Sequence, residues 1–135
     1  MSTPEGPSPA APVRARILLV DDDPLITDLV VDMLAMEGYD VETASDGLEA
    51  LERLQGQRFD LIVTDLHMPK LDGAAFYREL RERQAHPLKK IIFLSGTTGG
   101  SPEHKAVMES GAPMLLKPFN VNDLIELVRS VLQAA

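Results

Sequence analysis

Asp21 and Asp22, Asp65, Ser95, and Lys117 followed by Pro118 each come at the end of a short apolar run. The runs are Ile17-Leu18-Leu19-Val20, Leu61-Ile62-Val63-Thr64, Ile91-Ile92-Phe93-Leu94 and Met114-Leu115-Leu116. Open α/β sheets hold their ligands at the C-terminal ends of their strands, so runs of this kind would carry all of these groups to one edge. Three carboxylates brought together there repel one another unless a cation lies among them. Hard oxygen ligands with no His or Cys cluster nearby suit Mg²⁺, with Mn²⁺ as the expected substitute. An aspartate is already ionised near neutral pH, so it can accept a phosphoryl group as an acyl phosphate without a general base. What such a transfer needs is positioning and charge neutralisation, for which a metal, the Lys117 ammonium and the Ser95 hydroxyl suffice.

The elements that must hold these residues can be read from the alternation of apolar runs with helical periodicity. Asp23 is placed to cap a helix whose first residue is Pro24. In that helix Leu25, Leu29 and Met33 run beside Ile26, Val30 and Leu34 as one expected apolar face, and Gly38 stops it. Residues 39–43 alternate as a strand, and Asp46-Gly47 opens a short helix carrying Leu48, Leu51 and Leu54. The Leu61 run leads into a loop with His67 and Asp72-Gly73, then a helix over 74–84. The Ile91 run leads into a second glycine-containing loop and a helix over 102–110. After the Met114 run, Asn120 or Asn122 caps a last helix that turns Leu124, Leu127, Val128 and Val131 inward. Met33, Met36 and Met108 read as core or boundary residues. Five β-α units with continuously apolar strands predict a parallel sheet covered on both faces.

The 135 residues, 44% hydrophobic and 25% charged, suffice for one core of this kind. The net charge of −8 argues against direct nucleic-acid binding, since the phosphate backbone would repel the chain. There is no cysteine, which removes disulfides and thiolate chemistry. No run approaches the roughly 18 apolar residues of a transmembrane helix, so no membrane insertion is expected and the expected location is cytoplasmic. Residues 1–14, with Pro4, Pro7, Pro9 and Pro12 among small residues, are expected to be a flexible leader before a domain at 15–135.

The strings Leu-Leu-Val-Asp-Asp-Asp-Pro at 18–24, Val-Thr-Asp-Leu-His-Met-Pro-Lys-Leu-Asp-Gly at 63–73, Phe-Leu-Ser-Gly at 93–96 and Leu-Lys-Pro-Phe at 116–119 resemble the receiver domains of bacterial two-component response regulators. The resemblance runs from about Arg16 to Leu132. It is similar in detail to receivers attached to hybrid sensor kinases through Phe119-Asn120 and the stretch 93–96 with 110–113. It implies a flavodoxin-like (βα)5 fold with strand order 2-1-3-4-5. It also implies that Asp65 accepts phosphate from a sensor histidine kinase or a phosphotransfer protein. Asp22, Asp65 and the His67 backbone carbonyl would hold Mg²⁺, with Asp21 assisting through water. Ser95 would be the switch hydroxyl and Lys117 the phosphoryl contact, before a cis peptide at Pro118. Where the family often carries an aromatic switch residue this chain has Met114, a flexible side chain able to repack.

A chain so built is expected to be a phosphoacceptor rather than an enzyme, acting through a downstream protein partner, by phosphate relay or as a phosphate sink. A phosphorylation-dependent homodimer is among the assemblies the resemblance leaves open. The main alternative is a phosphorylation-independent interaction scaffold, favoured by Met114. An aspartate-nucleophile phosphatase using Asp21 and Asp23 fails because Pro24-Leu25 does not continue that pattern. A flavin-binding relative fails because its first loop must offer N–H groups to a phosphate, whereas this loop offers three acids.

Overall fold

Strand β1 (Arg16–Val20) lies second from one edge of a five-stranded parallel sheet whose other members are β2 (Asp40–Ala44), β3 (Leu61–Asp65), β4 (Ile91–Ser95) and β5 (Met114–Leu116), in the order β2-β1-β3-β4-β5. Helices α1 (Pro24–Met36), α2 (Gly47–Gly56), α3 (Gly73–Glu82) and a C-terminal helix (Val121–Gln133) complete the described elements. The computed structural model describes residues 14–66, 73–82, 90–96, 105, 109 and 111–133. Of the expected leader at 1–14, residues 1–13 lie outside the described residues, as do His67 to Asp72 and residues 83–89 and 97–101. Of the helix expected over 102–110, the described residues include Lys105 and Glu109, both helical. Among the described residues no helix is long and apolar enough to cross a membrane.

Alternation along each strand sends neighbouring side chains into different layers. Ile17 and Leu19 of β1, with Leu61, Val63, Ile92 and Leu94, pack on Val30 and Leu34 of α1 and on Leu124, Ile125 and Val128 of the C-terminal helix. Leu18 and Val20, with Ile62, Ile91 and Phe93, pack on Ala50 and Leu51 of α2 and on Phe76 of α3. Because β1, β3 and β4 are buried on both faces, their sequences read as unbroken apolar runs.

Capping sets where the helices begin. Asp23 Oδ1 accepts from the Leu25 N–H at 3.0 Å with Pro24 following, and Asp46 Oδ1 accepts from the Glu49 N–H at 2.9 Å. Asn120, not Asn122, caps the C-terminal helix, its Oδ1 accepting from the Asn122 N–H at 2.8 Å. Gly38 ends α1 at φ 96°, a left-handed conformation that glycine adopts without a Cβ clash.

The helix faces differ from the sequence reading in one respect. Leu25 is 81% exposed, Leu29 51% and Met36 79%, so the apolar stripe of α1 narrows to Val30 and Leu34, with Ile26, Val31 and Met33 partly buried; in α2, Leu48 is 49% exposed. Helix α1 has apolar residues over more of its circumference than one sheet face can cover.

Candidate functional site

Four neighbouring strands deliver the chemistry. Asp21 immediately follows β1, Asp65 ends β3, Ser95 ends β4 and Lys117 immediately follows β5. The register pairs Val20 with Thr64, Asp65 with Leu94 and Ser95 with Leu116, so all four groups reach the same sheet edge. Backbone bonds continue the ladder into the site: the Leu66 N–H donates to the Leu94 carbonyl at 2.9 Å, and the Lys117 N–H to the Ser95 carbonyl at 2.7 Å. The peptide bond from Lys117 to Pro118 is cis.

Lys117 is the centre of the cluster. Its Nζ donates to Asp65 Oδ2 at 3.0 Å and to Asp21 Oδ2 at 3.1 Å, and the side chains of Asp21 and Asp65 are 0% and 7% exposed. Asp22 is exposed at the rim, while Ser95 is fully buried. One oxygen from each of Asp21, Asp22 and Asp65 can be chosen so that all lie within 4.8 Å of one another. A donor set of three carboxylates with no thiol or imidazole fits a hard divalent cation such as Mg²⁺.

Burial pushes the Asp21 carboxyl above its ordinary 3.8, against the opposing pull of the Asp23 N–H and Lys117, while the nearby Asp65 charge adds to the rise. For Lys117, burial works toward a lower value but is outweighed by the hydrogen bonds and charges of Asp65 and Asp21, which hold the ammonium above its ordinary 10.5. The cluster thus keeps its cation firmly and its inner carboxylate under strain.

Of the residues singled out from sequence, the structure brings together Asp21, Asp22, Asp65 and Lys117, and ends β4 with Ser95 beside them. Met114 stands opposite Phe93 in the register, partly buried against the α2–α3 layer. The His67 carbonyl lies outside the described residues. Sequence reading gave Asp23 only a cap, yet its backbone N–H also donates to Asp21 Oδ1 at 2.9 Å. A main-chain donor leaves no side-chain signature by which it could have been found.

Comparison with known proteins bears on the family and the fold. The response regulator receiver domain family matches residues 17–129. The Haemophilus influenzae transcriptional regulatory protein described as a CpxR homolog is 37% identical over 120 residues, 88% of this chain and 51% of its own length. The chain spans about half the length of that relative and of several others like it. Among solved structures, the chemotaxis response regulator CheY4 of Vibrio cholerae superposes with a TM-score of 0.78 at 38% identity, covering 88% of this chain and 99% of that one. The receiver domain of the Pseudomonas aeruginosa sensor histidine kinase PA1611, with a magnesium ion coordinated in its active-site cleft, gives a TM-score of 0.78 at 28% identity, covering 90% of this chain and all of that one.

Proposed function

This chain belongs to the response regulator receiver domain family, and from that premise we propose that Asp65 is its phosphoacceptor, loaded by a histidine kinase or a phosphotransfer protein. The observation that carries the reading is the Lys117 ammonium shared by two buried carboxylates at the sheet edge. In the transfer an Asp65 carboxylate oxygen forms a bond to phosphorus while the bond from phosphorus to the donor imidazole nitrogen breaks, and the electron pair stays on the imidazole. Asp65 needs no base, being already an anion. Lys117, hydrogen-bonded to Asp65, neutralises a phosphoryl oxygen as charge arrives, and Ser95 at the end of β4 supplies a hydroxyl donor. Asp21, Asp22, Asp65 and the His67 carbonyl would hold Mg²⁺, which when bound neutralises the remaining phosphoryl oxygens.

The output follows from the same site. A new dianion at the end of β3 attracts Ser95 and Lys117, and a shift of Ser95 leaves space into which Met114, across from Phe93, can repack. The change would then reach the surface around β5 and a downstream protein partner. Met114 also favours the second reading, a scaffold or phosphate sink that holds phosphate without switching.

Acetyl phosphate with Mg²⁺ is expected to add one phosphoryl group to the intact chain, at Asp65. Mass spectrometry of wild type, Asp65→Asn and wild type in excess chelator tests this. Undiminished modification of Asp65→Asn or of the chelated protein would overturn the assignment.

A further inference from the structure

A second feature lies away from the phosphoacceptor, along the outer edge of the sheet. A groove of about 500 Å³ runs there between Thr27, Asp28, Val31 and Asp32 of α1 and Val41 and Thr43 of β2. Glu42 and Arg53 complete its lining. β2 is the terminal strand of the sheet, so one of its long sides pairs with no described strand. The Asp40 N–H donates to the Ala15 carbonyl at 2.9 Å, and the Ala44 carbonyl accepts from the Asp21 N–H at 3.1 Å. By the two-residue alternation of a strand, the amides and carbonyls of Val41 and Thr43 therefore face away from β1, on the side of the open edge.

On the β2 side the acids are matched, Asp40 by Arg14 at 3.6 Å and Glu42 by Arg16 at 3.9 Å, so the unmatched charge of the groove lies on α1. Arg53 is the basic residue of the groove, and its guanidinium is committed to Glu42 at 3.1 Å and Glu49 at 3.3 Å. Asp28 and Asp32 are exposed and form no ion pair among the described residues. A negative edge on a chain of net charge −8 deters pairing with a second copy of itself. Residues 1–13 contain no lysine or arginine, so the chain's own leader does not match the groove either.

We propose that this edge docks an extended, cationic segment of a partner protein, which adds to β2 as a further strand. Its backbone would pair with Val41 and Thr43, its lysines or arginines would fall on the α1 face and meet Asp28 and Asp32, and small β-branched residues between them would turn to the opposite face, beside Glu42 and Arg53. The site is separate from Asp65 and does not depend on phosphorylation.

The probe is a peptide of about eight residues alternating Lys and Val, long enough to cover one strand, titrated into the isotope-labelled full chain, with an alternating Glu and Val peptide as control. Amide exchange at Val41 and Thr43 is expected to slow with the cationic peptide and not with the acidic one. Asp28→Asn combined with Asp32→Asn should weaken binding about threefold to tenfold, the effect of two exposed ion pairs. Thr43→Pro, which removes an outward donor and leaves the β1 side of the ladder paired, should abolish the protection of Val41. The proposal is overturned if the shifts centre on Asp21, Asp22 and Asp65, or if the double variant binds as tightly as wild type. It is equally overturned if Val41 and Thr43 are already protected without peptide and lose that protection on deletion of residues 2–13 or on dilution. The first of those two results would make the leader the occupant, and the second a second copy of the chain.

Discussion

Lys117 and Arg53 are each shared between two carboxylates, Lys117 between Asp21 and Asp65 and Arg53 between Glu42 and Glu49, yet the two clusters sit in different media. The side chains around Arg53 are between 32% and 40% exposed, and Lys117 is 19% exposed over two carboxylates that are almost completely covered. Water screens the first cluster, so its members can separate at little cost. The second has given up hydration, and each member depends on the others to replace it. A structural ion pair can tolerate the first arrangement. A site that must receive a phosphoryl dianion gains from the second, because its cation is held in place before the charge arrives.

Removal of each cation tests that contrast most severely. Lys117→Ala leaves Asp21 and Asp65 facing each other under cover, and a loss of about 3–5 kcal/mol is expected in urea unfolding of the chelated protein, the scale of breaking a buried pair from one side. Adding Mg²⁺ should restore part of that loss by supplying another cation. A loss below about 1 kcal/mol would place Lys117 in the class of a surface pair and remove the distinction.

Acid should move the two clusters in opposite directions. The folded-state carboxyl of Asp21 is raised above 3.8, chiefly by burial, so the native state binds that proton more tightly than the unfolded chain. Its contribution therefore improves as pH falls through the interval between the raised folded value and 3.8. Glu49 is held below 4.5, first by the Ser45 N–H and then by the Ser45 hydroxyl, which donate to its Oε1 at 2.8 and 2.9 Å. Its contribution is present above 4.5 and is lost as pH falls through the depressed folded value. In metal-free protein, Asp21→Asn should flatten one slope of stability against pH and Glu49→Gln the other. Slopes of the same sign would show that burial does not separate the two clusters.

The smallest effect is expected for Arg53→Ala. A screened pair shared between Glu42 and Glu49 should contribute about 0.5–1 kcal/mol, shrinking as salt is raised toward about 1 M. Salt-independence would mean that Arg53 acts through packing of its stem, not through charge.

The apolar runs before Asp21, Asp65 and Ser95 were enough to identify their strands, because a strand covered on both faces has few polar positions to blur the pattern; the run before Lys117 was apolar although its Leu116 is 48% exposed. The caps at Asp23 and Asp46 were equally legible, since a cap is a bond between residues two or three apart. The exposure of Leu25 and Leu29 was not. A helix with apolar residues around much of its surface does not declare which of them the sheet will cover, and only the placement of α1 over Ile17 and Leu19 decides it.

For the site, sequence by itself determined which functional groups exist and that strand ends would carry them. Tertiary structure alone decided their relations. Asp21 and Asp22 are adjacent and chemically identical, but the path of the chain leaving β1 buries the first beneath Lys117 and leaves the second at the rim. Lys117 meets Asp65 across 52 positions and Asp21 across 96, contacts set by the order in which β1, β3, β4 and β5 stack. That order is fixed by right-handed crossovers and by the burial of both sheet faces, which act on whole elements and not on the residues at their tips.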